Sequence, residues 1–328
     1  MGKMHFRCYK SHKNIEVVAI CDADLKQLKD TSGVKGNISG AEEKLDLSNI
    51  SLYSDLSKML AEEKLDAVSI ATPTFLHATH SIEALEAGLH VLCEKPMALN
   101  SADCLKMSAA AKHSGKILQV GHCIRFWPEY VQAKEIIDSQ KYGNVLAATF
   151  QRLSLTPTWS WDNWFLDGNR SGGAMLDLHI HDADYVQYVF GTPKAVFSQG
   201  VLGPSQDYDH CHTQYLYDNE SVITAEGGWI MSPGFGFEMS FKIMLEEATL
   251  IYSSAQEATF RIYPKDGEMV KPDIPEGDGY SFEIKHFVEN ISGKNVPSVI
   301  TPEQSADSVK IIEAEKESIR TMEKSSIS

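Results

Sequence analysis

The chain has 328 residues, 43% of them hydrophobic, and a formal net charge of −15 at pH 7. This size and apolar content are typical of one large or two medium folded domains and exclude a disordered chain. The negative charge makes nucleic acid and anionic membrane surfaces unfavourable partners, and the sequence has no run of 18 apolar residues that would predict a membrane-spanning helix.

The first ten residues and the cysteines indicate the compartment. The N-terminal sequence MGKMHFRCYK lacks the apolar core of a signal peptide. The six cysteines are scattered without a C-x-x-C pair, which favours reduced, buried thiols over disulfides or a zinc site. We therefore expect a cytoplasmic protein.

The first 121 residues alternate between predicted strands and helices. Their short apolar runs are typical of buried strands. In chain order the elements are a strand at Ile15–Cys21, a helix at Asp24–Asp30, an irregular stretch at Ser32–Asn49, a helix at Ser54–Lys64, a strand at Ala67–Ala71, a helix at Ile82–Gly88, a strand at His90–Cys93, a helix at Ser101–Ser114 and a strand at Ile117–Val120. This alternation predicts a Rossmann-like, doubly wound parallel sheet that binds a nucleotide at one edge.

Two neighbouring strands of this predicted sheet end in polar turns. Thr72-Pro73 follows one strand, and Glu94-Lys95-Pro96 ends the next. Because proline cannot extend a central strand, Lys95 is expected at a carboxyl end, where open α/β sheets bind their ligands. Taken alone, the tripeptide is equally typical of a solvated surface turn.

The character of the sequence changes after residue 144. A helix at Pro128–Ser139 precedes seven alternating apolar and polar runs, which are Val145–Leu153, Ala195–Leu202, Cys211–Tyr217, Ser221–Trp229, Phe237–Leu245, Ala248–Ile251 and Thr259–Tyr263. A helix near Gly172–Phe190 crosses between the first two runs. The runs predict a large, open, mostly antiparallel sheet with one face for burial. Thr301-Pro302 with Gln304 predicts a capped final helix.

These elements predict an α/β protein with three parts. Residues 1–121 form the dinucleotide-binding domain, and residues 122–302 form an α+β domain for substrate binding and oligomerisation. Residues 303–328 form a helix that packs back on the body. One face of the open sheet stays uncovered in this arrangement, which predicts a homodimer or homotetramer through that face.

Three motifs lie well separated along the chain: the turn Ala71-Thr72-Pro73 with His77, the strand end Glu94-Lys95-Pro96, and the pair Gly172-Gly173 with Asp177 and His181. In this order they resemble the glucose–fructose oxidoreductase / inositol dehydrogenase / rhizopine-catabolism (Gfo/Idh/MocA) family. The resemblance covers nearly the whole chain, and only the three motifs together make it specific. It implies an NAD(P)-dependent oxidoreductase whose substrate is a small sugar or polyol.

The N-terminus departs from the family pattern. Of the family's G-x-G-x-x-G-x-x-H turn, Gly2 matches the third glycine and His5 the histidine, while the first strand and two glycines are absent. Those glycines let the backbone approach a pyrophosphate, and the first strand is central in the 3-2-1-4-5-6 sheet. Its two neighbours are therefore expected to lie unpaired. The leading expectation is that the sequence starts at an internal methionine. Two alternatives stay open: the residues are omitted for another reason, or the natural protein lacks them and binds a dinucleotide poorly.

The cofactor site is expected at the strand ends. Asp22 follows the first predicted strand, where a carboxylate accepts hydrogen bonds from both ribose hydroxyls and repels a 2′-phosphate. No arginine follows it closely, which favours NAD over NADP; capping of the following helix is the alternative role. With the resemblance, the expected cofactor contacts are Gly2, Asp22, Thr72, Pro73, His77, Glu94 and Lys95.

The catalytic group is expected on the helix near residue 180. Asp177, His181, Asp184 and Tyr188 follow i, i+4, i+7, i+11 spacing and so share one face of an α-helix. A histidine of near-neutral pKa suits removal of a hydroxyl proton, and Lys95 supplies a positive charge for a developing alkoxide. The resemblance implies that Lys95 contacts the substrate oxygen and the cofactor ribose, Asp177 orients the histidine and the substrate, and His181 is the general base. The alternative is an ordinary surface pair of His181 and Asp184.

Further candidates surround this group. Trp159, Trp161 and Trp164 suit stacking on a sugar ring or, equally, packing in a hydrophobic loop. Arg125 and Asp184 are predicted substrate contacts, although an interdomain salt bridge suits Arg125 equally well. A metal site formed by His210-Cys211-His212 with His179 lacks acidic ligands at suitable spacing, so no metal is expected.

The leading hypothesis is an NAD-dependent dehydrogenase that oxidises a secondary hydroxyl of a sugar, inositol or sugar derivative. One rival is a non-catalytic protein of the same fold that binds ligand or dinucleotide and regulates a partner. A second rival holds its nicotinamide tightly and cycles two sugars, which would need an extra arm around the cofactor.

Overall fold

The N-terminal part alternates strands and helices, as predicted. The computed structural model describes residues 1–26 and 46–327. The elements are α1 (Gly2–Lys10), β1 (Ala19–Cys21), β2 (Ser51–Tyr53), α2 (Leu56–Glu62), β3 (Ala67–Ile70), a 3₁₀ turn (Thr74–Leu76), α3 (His77–Glu86), β4 (His90–Glu94), α4 (Ser101–Ser114), β5 (Leu118–Gly121) and a 3₁₀ turn (Cys123–Phe126). The predicted helix at Asp24–Asp30 and stretch at Ser32–Asn49 lie largely outside the described residues.

Local chemistry explains where these elements begin and end. The Asn100 side chain accepts a hydrogen bond from the Asp103 backbone N–H and so caps α4, which ends at Gly115 in a left-handed conformation. β4 is almost wholly buried, as expected for the middle strand of a parallel sheet covered by helices. Packing of α3 and α4 beside it buries their apolar faces.

The parallel strands form two sheets with a gap between them. β1 pairs with β2, and β3, β4 and β5 form the other sheet. Within the described ranges, β1 and β3 are therefore edge strands that do not pair with each other. A cavity of about 1990 Å³ opens between them and reaches the carboxyl ends of β1, β3 and β4.

The C-terminal part is built on one large sheet. Its elements are α5 (Pro128–Asp138), β6 (Val145–Leu155), a 3₁₀ segment (Trp161–Leu166), α6 (Gly168–Ser171), a π turn (Met175–His179), α7 (Ile180–Phe190), β7 (Ala195–Leu202), β8 (Tyr208–Leu216), β9 (Val222–Met231), β10 (Phe237–Leu245), β11 (Ala248–Ser253), β12 (Phe260–Pro264), α8 (Gly279–Ile291), α9 (Pro302–Thr321) and β13 (Ser325–Ser326). The predicted fold class is confirmed.

The sheet has eight strands in the order β12-β11-β10-β6-β9-β8-β7-β13. All its pairs are antiparallel except β6 with β9. Alternate side chains such as Phe150, Phe241 and Tyr252 form the buried face, against which α7 and α9 pack. On the opposite face, Phe197, Val201, Val222 and Met244 are exposed, so this surface remains uncovered in the single chain.

The final helix begins as predicted. Thr301 and Gln304 form a reciprocal capping box with Pro302 in the first turn. α9 contacts α4 and β5 of the N-terminal part as well as β7 of the large sheet, so it joins the two parts. None of the helices in the described ranges has both the length and the apolar content needed to cross a membrane.

Candidate active site

Lys95 extends from the carboxyl end of β4 into the large cavity. Its Nζ donates a hydrogen bond of 3.1 Å to Asp177 Oδ1 and one of 2.7 Å to the Asp177 carbonyl oxygen. Both side chains are mostly buried, which strengthens the attraction between their charges. This ion pair joins the end of the parallel sheet to the segment before α7.

Asp177 lies in a π turn rather than in the predicted continuous α-helix. Gly172 and Gly173 precede the turn with φ of +77° and +68°, a backbone conformation that favours glycine. Residues Met175–His179 then form the π turn, and α7 begins at Ile180. Because each residue of a π turn rotates less about the axis than in an α-helix, the predicted common face of four side chains does not persist.

His181 forms part of the cavity wall close to the Lys95–Asp177 pair. Burial, followed by the positive charges of Lys95 and Arg152, lowers the pKa of His181 well below its ordinary value. The imidazole is therefore neutral at pH 7 and able to accept a proton. Asp177 bonds to Lys95 and not, among its described contacts, to His181; this corrects the expectation that Asp177 orients the histidine.

A buried ion pair behind His181 was missed by the sequence reasoning. Arg152 Nε donates to Asp182 Oδ2 at 2.9 Å, and both side chains are almost completely buried. Arg152 also borders the cavity, so its charge helps to keep His181 neutral. Arg152 and Asp182 lie 30 residues apart, so the sequence does not show that they pair. It shows only that Arg152 lies in a predicted strand and that Asp182 follows His181.

Arg125 and Asp184 are placed away from the cavity. Arg125 Nε and one terminal nitrogen each donate to an Asp184 oxygen at 2.8 Å, and both side chains are fully buried. Ser308 of α9 donates to the same carboxylate. The structure thus corrects their prediction as substrate contacts. A salt bridge does form, but it is not the interdomain one considered for Arg125, because both partners lie within residues 122–302. The bidentate pair satisfies both charges inside the protein.

Glu94 is anchored beneath Lys95. His5 Nε2 of α1 lies 2.8 Å from Glu94 Oε1, and His5 Nδ1 lies 2.6 Å from the Ser69 hydroxyl. Burial alone would raise the pKa of Glu94, but the hydrogen bond from His5 and the charges of His5 and Lys95 outweigh it and lower the pKa to about 2. Glu94 is therefore a carboxylate beside Lys95 at neutral pH.

The Thr72-Pro73 turn is tied to the Lys95 turn by His77. The ring nitrogens of His77 lie 2.8 Å from the Pro96 carbonyl oxygen and 2.9 Å from that of Thr72. Gly2, Thr72 and Pro73 border the cavity together with this histidine. Because both ring nitrogens already face carbonyl oxygens, the geometry favours a supporting role for His77 over direct hydrogen bonding to a cofactor.

Asp22 borders the same cavity at the end of β1. Its Oδ1 accepts a hydrogen bond of 2.8 Å from the Asp24 backbone N–H. This bond fits the alternative role of Asp22, which is to cap the following helix. The position of Asp22 at a strand end fits the predicted role in binding ribose hydroxyls. One carboxylate can perform both roles because it has two oxygens.

Aromatic side chains line the opposite wall of the cavity. Trp159, Trp161 and Trp164 all border it, and the rings of Trp164 and Phe165 lie 4.2 Å apart. The Arg170 guanidinium lies 4.9 Å from the Phe75 ring centroid and 5.8 Å from that of Trp161. Residues of both parts of the chain thus meet across this end of the cavity.

The metal site considered from the sequence is not assembled. Cys211 is buried on the inner face of β8, whereas His210 and His212 point to the outer face because strand residues alternate. His210 instead lies 3.2 Å from Glu226. Cys211 does meet His179 in the core, together with Glu315 of α9.

Comparison with known proteins agrees with the fold. A family model described as "Oxidoreductase family, NAD-binding Rossmann fold" matches residues 1–122, and one described as "GFO/IDH/MocA C-terminal domain" matches residues 130–251. D-glucoside 3-dehydrogenase of Escherichia coli is 25% identical, with 90% of this chain and 85% of that protein covered. For scyllo-inositol 2-dehydrogenase (NAD(+)) of Bacillus subtilis the identity is also 25%, with 75% and 73% covered.

A solved structure of levoglucosan dehydrogenase with NADH and levoglucosan superimposes on the chain with a TM-score of 0.83. The match covers 100% of this chain and 96% of that one, at 20% sequence identity. At this identity the likeness shows a shared fold over both parts of the chain.

Proposed function

Because the chain belongs to the Gfo/Idh/MocA family of oxidoreductases, whose N-terminal domain is an NAD-binding Rossmann fold, we propose that it oxidises a secondary hydroxyl of a sugar, an inositol or a sugar derivative with NAD. The observation that carries the proposal is the meeting of Lys95, Asp177 and His181 at one cavity. An acid–base group and a cation beside a nucleotide-binding edge suit this reaction.

The neutral imidazole of His181 removes the hydroxyl proton of the substrate. The ammonium group of Lys95, held by Asp177, stabilises the negative charge that develops on the same oxygen. A nicotinamide dinucleotide bound at this edge would supply the acceptor for the hydride of the carbinol carbon. Asp177 therefore acts by directing Lys95. Burial, the charge of Lys95 and then the charge of Arg152 keep His181 neutral.

The residues at the cavity suit a nicotinamide dinucleotide. Asp22 offers a carboxylate at the end of β1, where it can accept hydrogen bonds from ribose hydroxyls and repel a 2′-phosphate. Gly2, Thr72 and Pro73 leave backbone close to the cavity. These features favour NAD over NADP.

The aromatic wall supports a sugar or polyol as the substrate. Trp164 and Phe165 line the cavity with their ring centroids 4.2 Å apart, and aromatic ring faces pack well on the C–H surfaces of sugar rings. The two dehydrogenases reported above are named for a glucoside and an inositol, which agrees with this class.

The chain is proposed to divide into residues 1–121 for the dinucleotide, 122–302 for the substrate, and a final helix from 303. The uncovered face of the large sheet, with Phe197, Val201, Val222 and Met244 exposed, supports a homodimer or homotetramer through this surface. All six cysteines are free thiols, which supports a reducing compartment such as the cytoplasm.

The test is NADH formation with a panel of sugars and inositols. His181→Ala and Lys95→Ala should each lower kcat/KM by about 100-fold or more, while circular dichroism shows an unchanged fold. Lys58→Ala, which alters an exposed pair with Glu62, is the control. Equal activity in either active-site variant would refute the assigned roles, and no NADH with any substrate would favour the non-catalytic rival.

A further inference from the structure

His179 is a fully buried histidine at the end of the π turn, two residues from both Asp177 and His181. Its Nε2 lies 3.1 Å from Glu315 Oε2 of α9. The Tyr215 hydroxyl of β8 lies 3.3 Å from the same nitrogen. Two separate elements, α9 and β8, therefore meet at the imidazole of His179 near the candidate active site.

The pocket around His179 allows the ring little freedom. A Cβ atom added to Gly227 of β9 would lie 2.7 Å from His179 Cβ and Nδ1, so the ring packs directly on the glycine backbone. Cys211 of β8 lies within the same cluster. Close packing on one side and the carboxylate on the other place this side chain in a single position.

The contact with His179 offsets the cost of burying the Glu315 carboxylate. A carboxylate buried without a compensating partner is very unfavourable, and Glu315 is fully buried. Although burial lowers the pKa of His179, Cys211 and Glu315 outweigh it and raise that pKa well above its ordinary value. His179 Nε2 therefore gives the buried Glu315 carboxylate a polar partner inside the core.

We propose that Glu315 is a positioning residue, which holds His179 in its pocket and so keeps residues 175–179 in the π turn that brings Asp177 to Lys95 and His181 to the cavity. The inference rests on the proposed function for its effect on catalysis. A π turn is rare and less favourable than the α-helix it interrupts, so a buried tether within the turn explains why it persists. Without the tether, the turn relaxes towards α-helical bonding and rotates Asp177 relative to His181.

The test compares Glu315→Gln with Glu317→Gln. Glu317 lies on the same helix, but it is exposed and pairs with Arg320, so it is a matched control. Nitrogen NMR of the histidine rings reports His179 and His181 separately without any substrate. In Glu315→Gln we expect the pKa of His179 to fall, because the carboxylate that raises it is gone, and the pKa of His181 to move towards its ordinary value. Both should be unchanged in the control.

The loss of the Glu315 carboxylate should lower kcat more than it changes the KM for NAD. We expect kcat of Glu315→Gln to fall about 10-fold or more, with the KM for NAD changed less than about twofold and the fold unchanged. A double variant, His179→Gln with Glu315→Gln, should be no slower than either single variant, because the two residues act as one unit. Full kcat and an unchanged His181 titration in folded Glu315→Gln would overturn the proposal.

Failure of the proposed function can be distinguished from failure of the positioning role of Glu315. If no sugar is oxidised by the wild type, the proposed function fails, while the His181 titration still decides the positioning role. If Glu315→Gln does not fold, His179→Gln is measured in the same way, with the same expected shift. One equivalent of a transition metal in the purified protein would overturn the direct contact of Glu315 with His179, since His179, Cys211 and Glu315 would then be its ligands.

Discussion

Arg125→Met is expected to destabilise the fold strongly without altering the chemistry of the cavity. The change removes four hydrogen bonds of the guanidinium, two of 2.8 Å to Asp184, one of 2.8 Å to Gln304 Oε1 and one of 3.0 Å to the Val299 carbonyl oxygen. It leaves Asp184 as a fully buried carboxylate without its cation. Breaking one partner of such a buried pair costs about 3–5 kcal/mol. Since whole proteins are stable by only about 5–15 kcal/mol, the loss is large and easy to measure.

The assay is urea unfolding followed by tryptophan fluorescence, together with NADH formation below the transition. Lys194→Met removes an exposed ion pair with Asp218 and should cost less than about 1 kcal/mol. Replacing both buried partners, as Arg125→Met with Asp184→Leu, should recover much of the loss. A loss below about 1 kcal/mol for Arg125→Met, or a large rise in substrate KM in the folded variant, would refute the structural role.

Two other predictions concern titration and cofactor choice. Burial, and then the negative charges of Glu94 and Asp278, raise the pKa of Glu283 well above its ordinary value, so folding keeps this group protonated. Its contribution to the free energy of unfolding is present below the unfolded pKa of about 4.3 and is lost as the pH rises from there through the folded pKa. Glu283→Gln should therefore be more stable than the wild type at pH 8, with the difference shrinking towards pH 4; parallel stability curves would contradict this. Asp22→Ala should weaken NAD binding by about tenfold and reduce discrimination against NADP, measured by calorimetry; unchanged Kd values for both would leave Asp22 as a helix cap.

Much of the fold could be predicted because its signals are local. Apolar runs marked β3 and β4, alternation marked the strands of the large sheet, and Thr301 with Gln304 marked the start of α9. Lys95 was placed at a strand end by the proline that follows it. Each of these inferences uses only neighbours in sequence and the geometry of one element.

The parts that escaped prediction depend on contacts between distant residues. The π turn follows from the pocket around His179, whose walls come from β8, β9 and α9. Arg125 and Asp184 are 59 residues apart, so nothing local shows that they satisfy each other. The spacing rule that grouped Asp177 with His181 and Asp184 holds for a continuous α-helix and fails across the π turn at Met175–His179.

The central claim is that the edge formed by β1, β3 and β4 binds a dinucleotide for hydride transfer. Calorimetric titration of NAD tests it most directly, on the chain as written and on a form with an apolar strand and a glycine-rich turn joined ahead of Met1. The account predicts that the added strand pairs with the edges of β1 and β3, raises the melting temperature and gives tight, one-to-one NAD binding. Absence of NAD binding by both forms, with the added strand demonstrably folded, would contradict it.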